Sequence, residues 1–350
     1  MARAALALRL WSMSEDVMTT FVVFGGSGFL GRRLVKRLVS EGSTVHVAVR
    51  NPVQAQNVLR PLSSDHIRIF YADVCEPASV RRVLAGADGV VNAVSAYVET
   101  EDATFESVHQ EGAETIAYEA AAAGVARLVL ISDICADPQS RSPYIRARGR
   151  GELLARQAFP GAIIVRPSAM FGPGNALFDK FAALSKLMPV LPLVGGGQTR
   201  LQPVFVEDVA EAITRVLVNP ETVGCTYELA GPRVYTLEEL VRMILRLYGR
   251  RRLLVAMPFA VAEFQAKFFE FLRNPLLTTS QLDLLKVDNV ASGTLPGFRE
   301  LDIKPESVDA MLPTYIGPPH RPELIGITDI SFLLATSQAL PEHAYMITGF

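Results

Sequence analysis

The chain has 350 residues, 49% hydrophobic and 20% charged, which is enough apolar side chain for a sizeable core and excludes a disordered polymer. With 34 Lys and Arg against 36 Asp and Glu the formal net charge is −2, so binding to a polyanion through bulk charge is excluded, while a local basic patch is not. Three widely separated cysteines, Cys75, Cys135 and Cys225, argue against a disulfide framework or a thiolate zinc site and fit a reducing compartment.

Residues 1–18 contain Arg3 and Arg9 and no acid before Glu15. They read as an upstream extension, with Met18 where the fold begins; an Arg-bearing, acid-poor mitochondrial presequence is the alternative. From Thr19 onward short apolar runs alternate with amphipathic ones. Strands are expected at 21–24, 45–49, 67–70, 89–93, 127–132 and 162–166. A helix is expected at 31–40, where Leu34, Val35, Leu38 and Val39 recur at helical spacing, and another at 105–123. Continuous apolar strands alternating with helices predict a doubly wound parallel α/β sheet covered on both faces. After residue 170 the rhythm loosens into Gly- and Pro-bearing loops. Thr236 with Glu239 is a capping box opening a helix through Leu247, and Pro258 precedes a helix at 259–272. The expected organisation is an extension (1–18), a dinucleotide-binding Rossmann core (19–170), a smaller C-terminal α/β lobe intertwined with the core (171–316), and a C-terminal extension (317–350) opened by Gly317, Pro318 and Pro319.

The most informative run is Gly25-Gly26-Ser27-Gly28-Phe29-Leu30-Gly31, which follows a strand and opens a helix. Gly25 permits the tight turn, Gly28 admits a pyrophosphate close to the backbone, and Gly31 lets the helix pack on the strand; the helix N-terminus supplies amide donors. Dinucleotide contacts are therefore expected at Gly25, Ser27, Gly28, Phe29, Leu30 and Gly31. Where an acid would bind a ribose 2′-hydroxyl, the second strand ends in Arg50, a cation suited to the 2′-phosphate of NADPH rather than to NADH; a solvated strand-end arginine would look the same. Asp73 reads either as an acceptor for the adenine amino group or as a helix cap. Val74, Ala93, Ser132, Pro167 and Ser168, also at or just beyond strand ends, complete the expected cofactor contacts, with backbone donors near Ser168 facing the nicotinamide amide.

These residues resemble the extended or atypical branch of the short-chain dehydrogenase/reductase superfamily. The stretches at 131–152, 164–175, 201–213 and 274–290 narrow the likeness to the NAD(P)H-binding accessory subunits of respiratory complex I and their bacterial relatives, over roughly residues 21–313. The superfamily's chemistry uses a Tyr acid/base, a Lys four residues on, and a Ser that holds the same substrate oxygen. Tyr144 stands in place, Arg148 occupies the Lys position, and Asp133, beside Ser132, falls where the Ser belongs. An arginine can still lower the Tyr pKa and bind a ribose, but it is planar and never deprotonated, and an acid at 133 would repel a developing oxyanion. The resemblance thus implies a degenerate site at Tyr144 and Arg148 in a subunit that holds NADPH without turning it over. Its implied place is among peripheral-arm subunits of complex I near the membrane, on the cytoplasmic face of a bacterial inner membrane or the matrix side of a mitochondrial one. The other reading keeps an active NADP-dependent reductase or sugar-nucleotide epimerase or dehydratase, with a role in quinone biosynthesis as a variant.

Histidines 46, 66, 109, 320 and 343 show no metal-ligand spacing, so no metal is expected. Two arginine clusters, at 146–156 and 250–252, lack the aromatic interleaving of nucleic-acid binders; they read as solvated or cofactor-facing, with contact with acidic partners or anionic lipid headgroups as the next reading. Phenylalanines 264, 268, 269 and 271 read as core, or, given the mean hydropathy of +0.25, as a partner-facing or membrane-proximal surface.

Overall fold

The structure is a computed structural model describing residues 19–62, 64–174, 185–186, 188–269 and 279–316. The two extensions lie outside the described residues. The first half alternates strand and helix: β1 (Thr20–Phe24), α1 (Gly31–Ser40), β2 (Thr44–Val49), α2 (Pro52–Leu59), β3 (Ile67–Tyr71), α3 (Pro77–Leu84), β4 (Gly89–Asn92), α4 (Gly112–Ala122), β5 (Arg127–Ile131), α5 (Pro143–Ala158) and β6 (Ile163–Pro167). The second half holds β7 (Met170–Phe171), β8 (Val190–Val194), β9 (Arg200–Leu201), β10 (Val204–Phe205), α6 (Val206–Val218), β11 (Thr226–Leu229), β12 (Tyr235–Thr236), α7 (Leu237–Leu247), β13 (Leu253–Met257), α8 (Phe259–Phe269), α9 (Thr279–Leu285) and α10 (Val308–Tyr315).

One seven-stranded sheet runs β11-β6-β5-β4-β1-β2-β3, and every pair in it is parallel. Side-chain alternation explains its two coats. Val23, Val47, Val91 and Val129 point to one face with Leu34, Val35 and Leu38 of α1 and Val209, Ile213 and Val216 of α6. Their neighbours Val22, Ala48, Val90 and Leu128 point to the other, against Val80, Val83, Ile116 and Ala120 of α3 and α4. The fold is thus the doubly wound α/β sheet that the strand–helix rhythm predicts. The chain also returns α6 and β11 from its second half to this sheet, beyond the six strands read from the sequence.

The remaining elements form a smaller lobe with its own core, in which Leu191 and Leu193 of β8 meet Leu240, Val241 and Ile244 of α7, Leu282 and Leu312. The Thr236 side chain accepts from the Glu239 amide while the Glu239 carboxylate accepts from the Thr236 amide, so both halves of the capping box form. The predicted helix at 105–123 is not uniform. Its first part, Glu106–Glu111, is π-helical, and only Gly112–Ala122 is α-helical. The distortion sits where α5 crosses closely, for a Cβ at Gly151 would overlap the His109 carbonyl oxygen.

Candidate functional site

The sheet reverses its winding between β1 and β4, and the crevice at their carboxyl ends is where such folds take ligands. The glycine run fills that turn. Gly25 has φ +74°, a backbone conformation glycine reaches without strain, and a Cβ there would stand 2.8 Å from the Ala93 carbonyl oxygen. A Cβ on Gly31 would overlap the Gly25 carbonyl oxygen, and one on Gly28 would lie 3.1 Å from it. The Gly28 amide donates to the Gly25 oxygen at 2.9 Å, closing the turn against α1. Leu30 at the helix N-cap offers no side-chain acceptor and the first turn holds no acid; the Arg32 and Arg33 amides already donate to the Gly28 and Leu30 carbonyl oxygens at 3.1 and 3.0 Å, so it is the positive end of the dipole that remains for an anion. The turn therefore fits a dinucleotide pyrophosphate.

Two cations that the sequence reading passed over follow directly. Arg33 is buried, reaches the Pro173 carbonyl at 2.6 Å and pairs with Glu207 at 3.3 Å; burial is the main cause holding it down at about 10. Burial lowers Arg32 as well, its guanidinium lying 5.8 Å from the Phe29 ring centroid. Their signal was a pair of positive charges at the wrong end of a helix dipole.

On the other side of the crevice Arg50 is exposed at the end of β2, and Asn51 caps α2 by accepting from the Gln54 amide at 3.0 Å. Asp73 accepts from the Cys75 amide at 2.9 Å in a tight turn; it does not cap α3, which starts after Glu76. Val74 is buried in the sheet core.

The Tyr144 neighbourhood departs most from expectation. Its ring is 1% exposed, stacked beneath Tyr97 (centroids 5.3 Å apart, 26° between planes), with Phe105 and His109 edge-on at 5.5 and 5.4 Å. Arg148 lies under it and makes three hydrogen bonds: Nε to the Tyr144 hydroxyl at 3.2 Å, Nη1 to the Ile131 carbonyl at 2.8 Å, and Nη2 to Ser95 Oγ at 2.6 Å. Burial drives the Tyr144 phenol well above its usual range, and the opposing pull of Arg148 does not cancel it. A general acid/base needs that pKa lowered, so the arginine here acts as a clamp joining β5, α5 and the loop after β4. His109 is likewise kept neutral, by burial first and by Arg148 second, and its Nε2 lies 2.8 Å from the Ala96 carbonyl oxygen.

Ser132 Oγ is buried without a partner and lines a polar pocket of about 10 Å³ with Asn92, His109 and Arg148. Asp133 accepts from the Cys135 amide at 2.9 Å, and burial raises its carboxyl. The donors expected around Ser168 are occupied. The Ser168 amide donates to the Leu229 carbonyl at 2.9 Å, its hydroxyl to the Gln202 carbonyl, and the Ala169 amide to Asn289 Oδ1 at 2.7 Å. Pro167 ends β6, its carbonyl accepting from the Ile134 amide at 3.2 Å. Ser95, Tyr97 and His109, none of them foreseen as site residues, thus belong to the Tyr144 cluster. A hollow of about 710 Å³ opens beside edge strand β11, lined by Glu228, Phe298 and Arg299 among others; it shares no residue with the glycine turn or with Tyr144. No group of three or more His, Cys, Asp or Glu among the described residues could hold a metal ion.

The model of the NAD dependent epimerase/dehydratase family matches residues 21–230, from β1 through the end of the core sheet. The chain belongs to that family. Membership makes it a nicotinamide-nucleotide-binding chain of the extended short-chain dehydrogenase/reductase type. Within the family it is 31% identical over 298 residues to the mitochondrial NADH dehydrogenase [ubiquinone] 1 alpha subcomplex subunit 9 of Arabidopsis thaliana, covering 82% of this chain and 74% of that protein. It is 30% identical over 290 residues to the mitochondrial NADH-ubiquinone oxidoreductase 40 kDa subunit of Neurospora crassa (83% and 76% covered). A ceramide reductase of Caulobacter vibrioides is 30% identical over 249 residues, covering 70% of this chain and 76% of that one. Among solved structures, a dTDP-glucose 4,6-dehydratase from Streptomyces venezuelae with NAD and TYD bound superposes with a TM-score of 0.66 at 20% identity, covering 85% of this chain and 96% of that one, which shows the shared fold.

Proposed function

We propose that this family member is an NADPH-binding accessory subunit of respiratory complex I, docked on the peripheral arm near the membrane, in which the nucleotide stabilises the fold and is not turned over. The observation that carries the reading is the Arg148 clamp, which holds a buried, neutral Tyr144 behind Tyr97. Likeness over four fifths of the chain to subunits of that complex supports the partner. No described helix is long and apolar enough to cross a membrane, which accords with a peripheral position. The setting proposed is the cytoplasmic face of a bacterial inner membrane, with the mitochondrial matrix side as the alternative.

Gly25, Ser27, Gly28, Phe29, Leu30 and Gly31 would hold the pyrophosphate, and Arg50 the 2′-phosphate. When bound, the nicotinamide supplies hydride chemistry to any member that uses it. Here the buried phenol offers no exchangeable proton at the cleft surface. A ligand present at a thousandfold excess over its dissociation constant adds about 4 kcal/mol of stability without reaction, which suffices for a structural role.

The second reading, an NADP-dependent reductase, is favoured by one observation, the likeness to the Caulobacter ceramide reductase over 70% of the chain. Size-fractionation of detergent-solubilised native membranes, with this chain followed by mass spectrometry and NADH:quinone reductase activity assayed in each fraction, separates the two. Co-migration at high mass is expected; migration as a free monomer or small oligomer would overturn the accessory-subunit reading and call for a substrate screen with NADPH.

A further inference from the structure

The smaller lobe carries an apolar face that the described residues leave exposed. β8 and β13 pair in parallel as an isolated two-stranded ladder, with Leu253 beside Val190 and Val255 beside Pro192. Side chains alternate across such a ladder. Leu191 and Leu193 turn inward and are buried, whereas Val190, Pro192, Leu253 and Val255 turn outward and are exposed, Leu253 to 64%. A face left to water carries polar residues at the outward positions, yet all four here are apolar. The chain then passes through Pro258 into α8, where Val261 and Phe264, one helical turn apart, are also exposed, Phe264 to 74%. The side chains of Phe268 and Phe269, and residue 271, lie outside the described residues.

Cations rim this surface. Arg250, Arg251 and Arg252 directly precede Leu253. Arg250 donates to Ser185 Oγ at 2.5 Å and lies 5.0 Å over the Tyr248 ring, and Arg252 Nε donates to the Ser185 carbonyl at 2.8 Å. Two anchored guanidinium groups thus flank exposed Arg251, and Lys186 is exposed just before β8. From residue 250 to 264 the single acid is Glu263, and its carboxylate is bridged to Lys286 at 2.9 Å. In a chain of net charge −2, three successive arginines opening an uncharged apolar ladder form a local departure from the average.

We propose that the outward face of β8 and β13, with Val261 and Phe264 of α8, docks on the surface of an anionic phospholipid bilayer, the arginines at its rim meeting the headgroups. The combination is that of an interfacial segment: apolar side chains enter the headgroup boundary while adjacent cations meet negative lipid, each cation adding a modest increment and neither part sufficing alone. A protein partner of matching apolarity would not require the run of basic residues at one rim. This inference deepens the membrane-side reading above and rests on it for its setting.

The test is flotation of the isolated full-length chain with phosphatidylcholine vesicles containing or lacking about 30% phosphatidylglycerol. The wild-type chain is expected to float with the anionic vesicles, to stay behind with the neutral ones, and to be released as salt rises. Arg251→Gln should weaken anionic-vesicle binding about fivefold, and the double change Leu253→Ser with Phe264→Ser by at least about tenfold. Thermal melting and NADPH binding should be unchanged in both, because all three side chains are exposed and none belongs to the glycine turn. No flotation of the wild-type chain, or equal flotation of wild type and both variants, overturns the proposal. If the double variant loses co-migration with complex I while wild type ignores vesicles, the face docks on protein and the lipid assignment is wrong. Because flotation uses the chain alone, its outcome is independent of whether the chain co-migrates with NADH:quinone reductase activity.

Discussion

Replacing Arg148 by lysine would restore the residue type that the superfamily's chemistry uses, and the structure predicts that it gives a weaker protein and no enzyme. The guanidinium spreads three hydrogen bonds over three nitrogens, to Tyr144, Ile131 and Ser95. An ammonium carries its three donors on one nitrogen at the end of an unbranched stem and cannot span partners on α5, β5 and the loop after β4 together. Retaining one of the three contacts leaves two buried acceptors to find other donors. Hydrogen bonds to a charged group contribute about 1.5–3 kcal/mol each. Allowing for partial replacement and for the smaller desolvation of a group that can shift within the pocket, the expected loss is about 3 kcal/mol, or roughly 150-fold in the unfolding equilibrium. Urea titration by circular dichroism should show a lower midpoint at unchanged slope. Assayed with NADPH and generic carbonyls, the variant should show no reduction, because Tyr144 remains at 1% exposure with its phenol raised by burial. A variant as stable as wild type that also reduces carbonyls would refute both the clamp and the sealed tyrosine.

Gly28→Val should abolish NADPH binding measured by calorimetry while the fold persists, since its γ-carbons occupy the pyrophosphate approach; retained binding would place the nucleotide elsewhere. Arg50→Asp should exchange preference for NADPH toward NADH by at least about tenfold, and unchanged relative affinities would remove the 2′-phosphate assignment. His109, held neutral by burial, has a folded pKa well below its unfolded value near 6.5. The unfolded chain therefore takes up the proton first, so the stability owed to this group is intact above about pH 6.5 and declines below it by up to about 1.4 kcal/mol per unit. His46 acts in the same direction, and Asp208, raised by burial to about 6, acts oppositely because folding favours its neutral form. The diagnostic is thus the difference between wild type and His109→Gln. The stability of wild type relative to His109→Gln should fall as pH drops from 6.5 to 5, and a pH-independent difference would contradict a buried neutral imidazole.

The sequence alone determined the doubly wound sheet, because parallel strands buried on both faces must be continuous apolar runs and the helices between them must show one apolar stripe. It determined the glycine turn for the same kind of reason: a positive φ at Gly25 and the collision a Cβ at Gly31 would cause are local demands that only glycine meets. The capping box at Thr236 and Glu239 was legible because both partners lie within one helical turn. What only the tertiary structure decided lies in contacts across long stretches of chain. That β11 completes the core sheet, and that Asn289 takes the Ala169 amide from 120 residues away, follow from where the second half of the chain returns. The Tyr144–Arg148 spacing marked the superfamily's acid/base positions in degenerate form, but spacing fixes only which helix face the two share. Whether that face meets solvent, a nucleotide or other side chains depends on Tyr97, Ser95 and His109, which arrive from the loop after β4 and from a π-helical turn. Their packing removes water from the phenol, and desolvation at that depth outweighs the charge of the adjacent arginine.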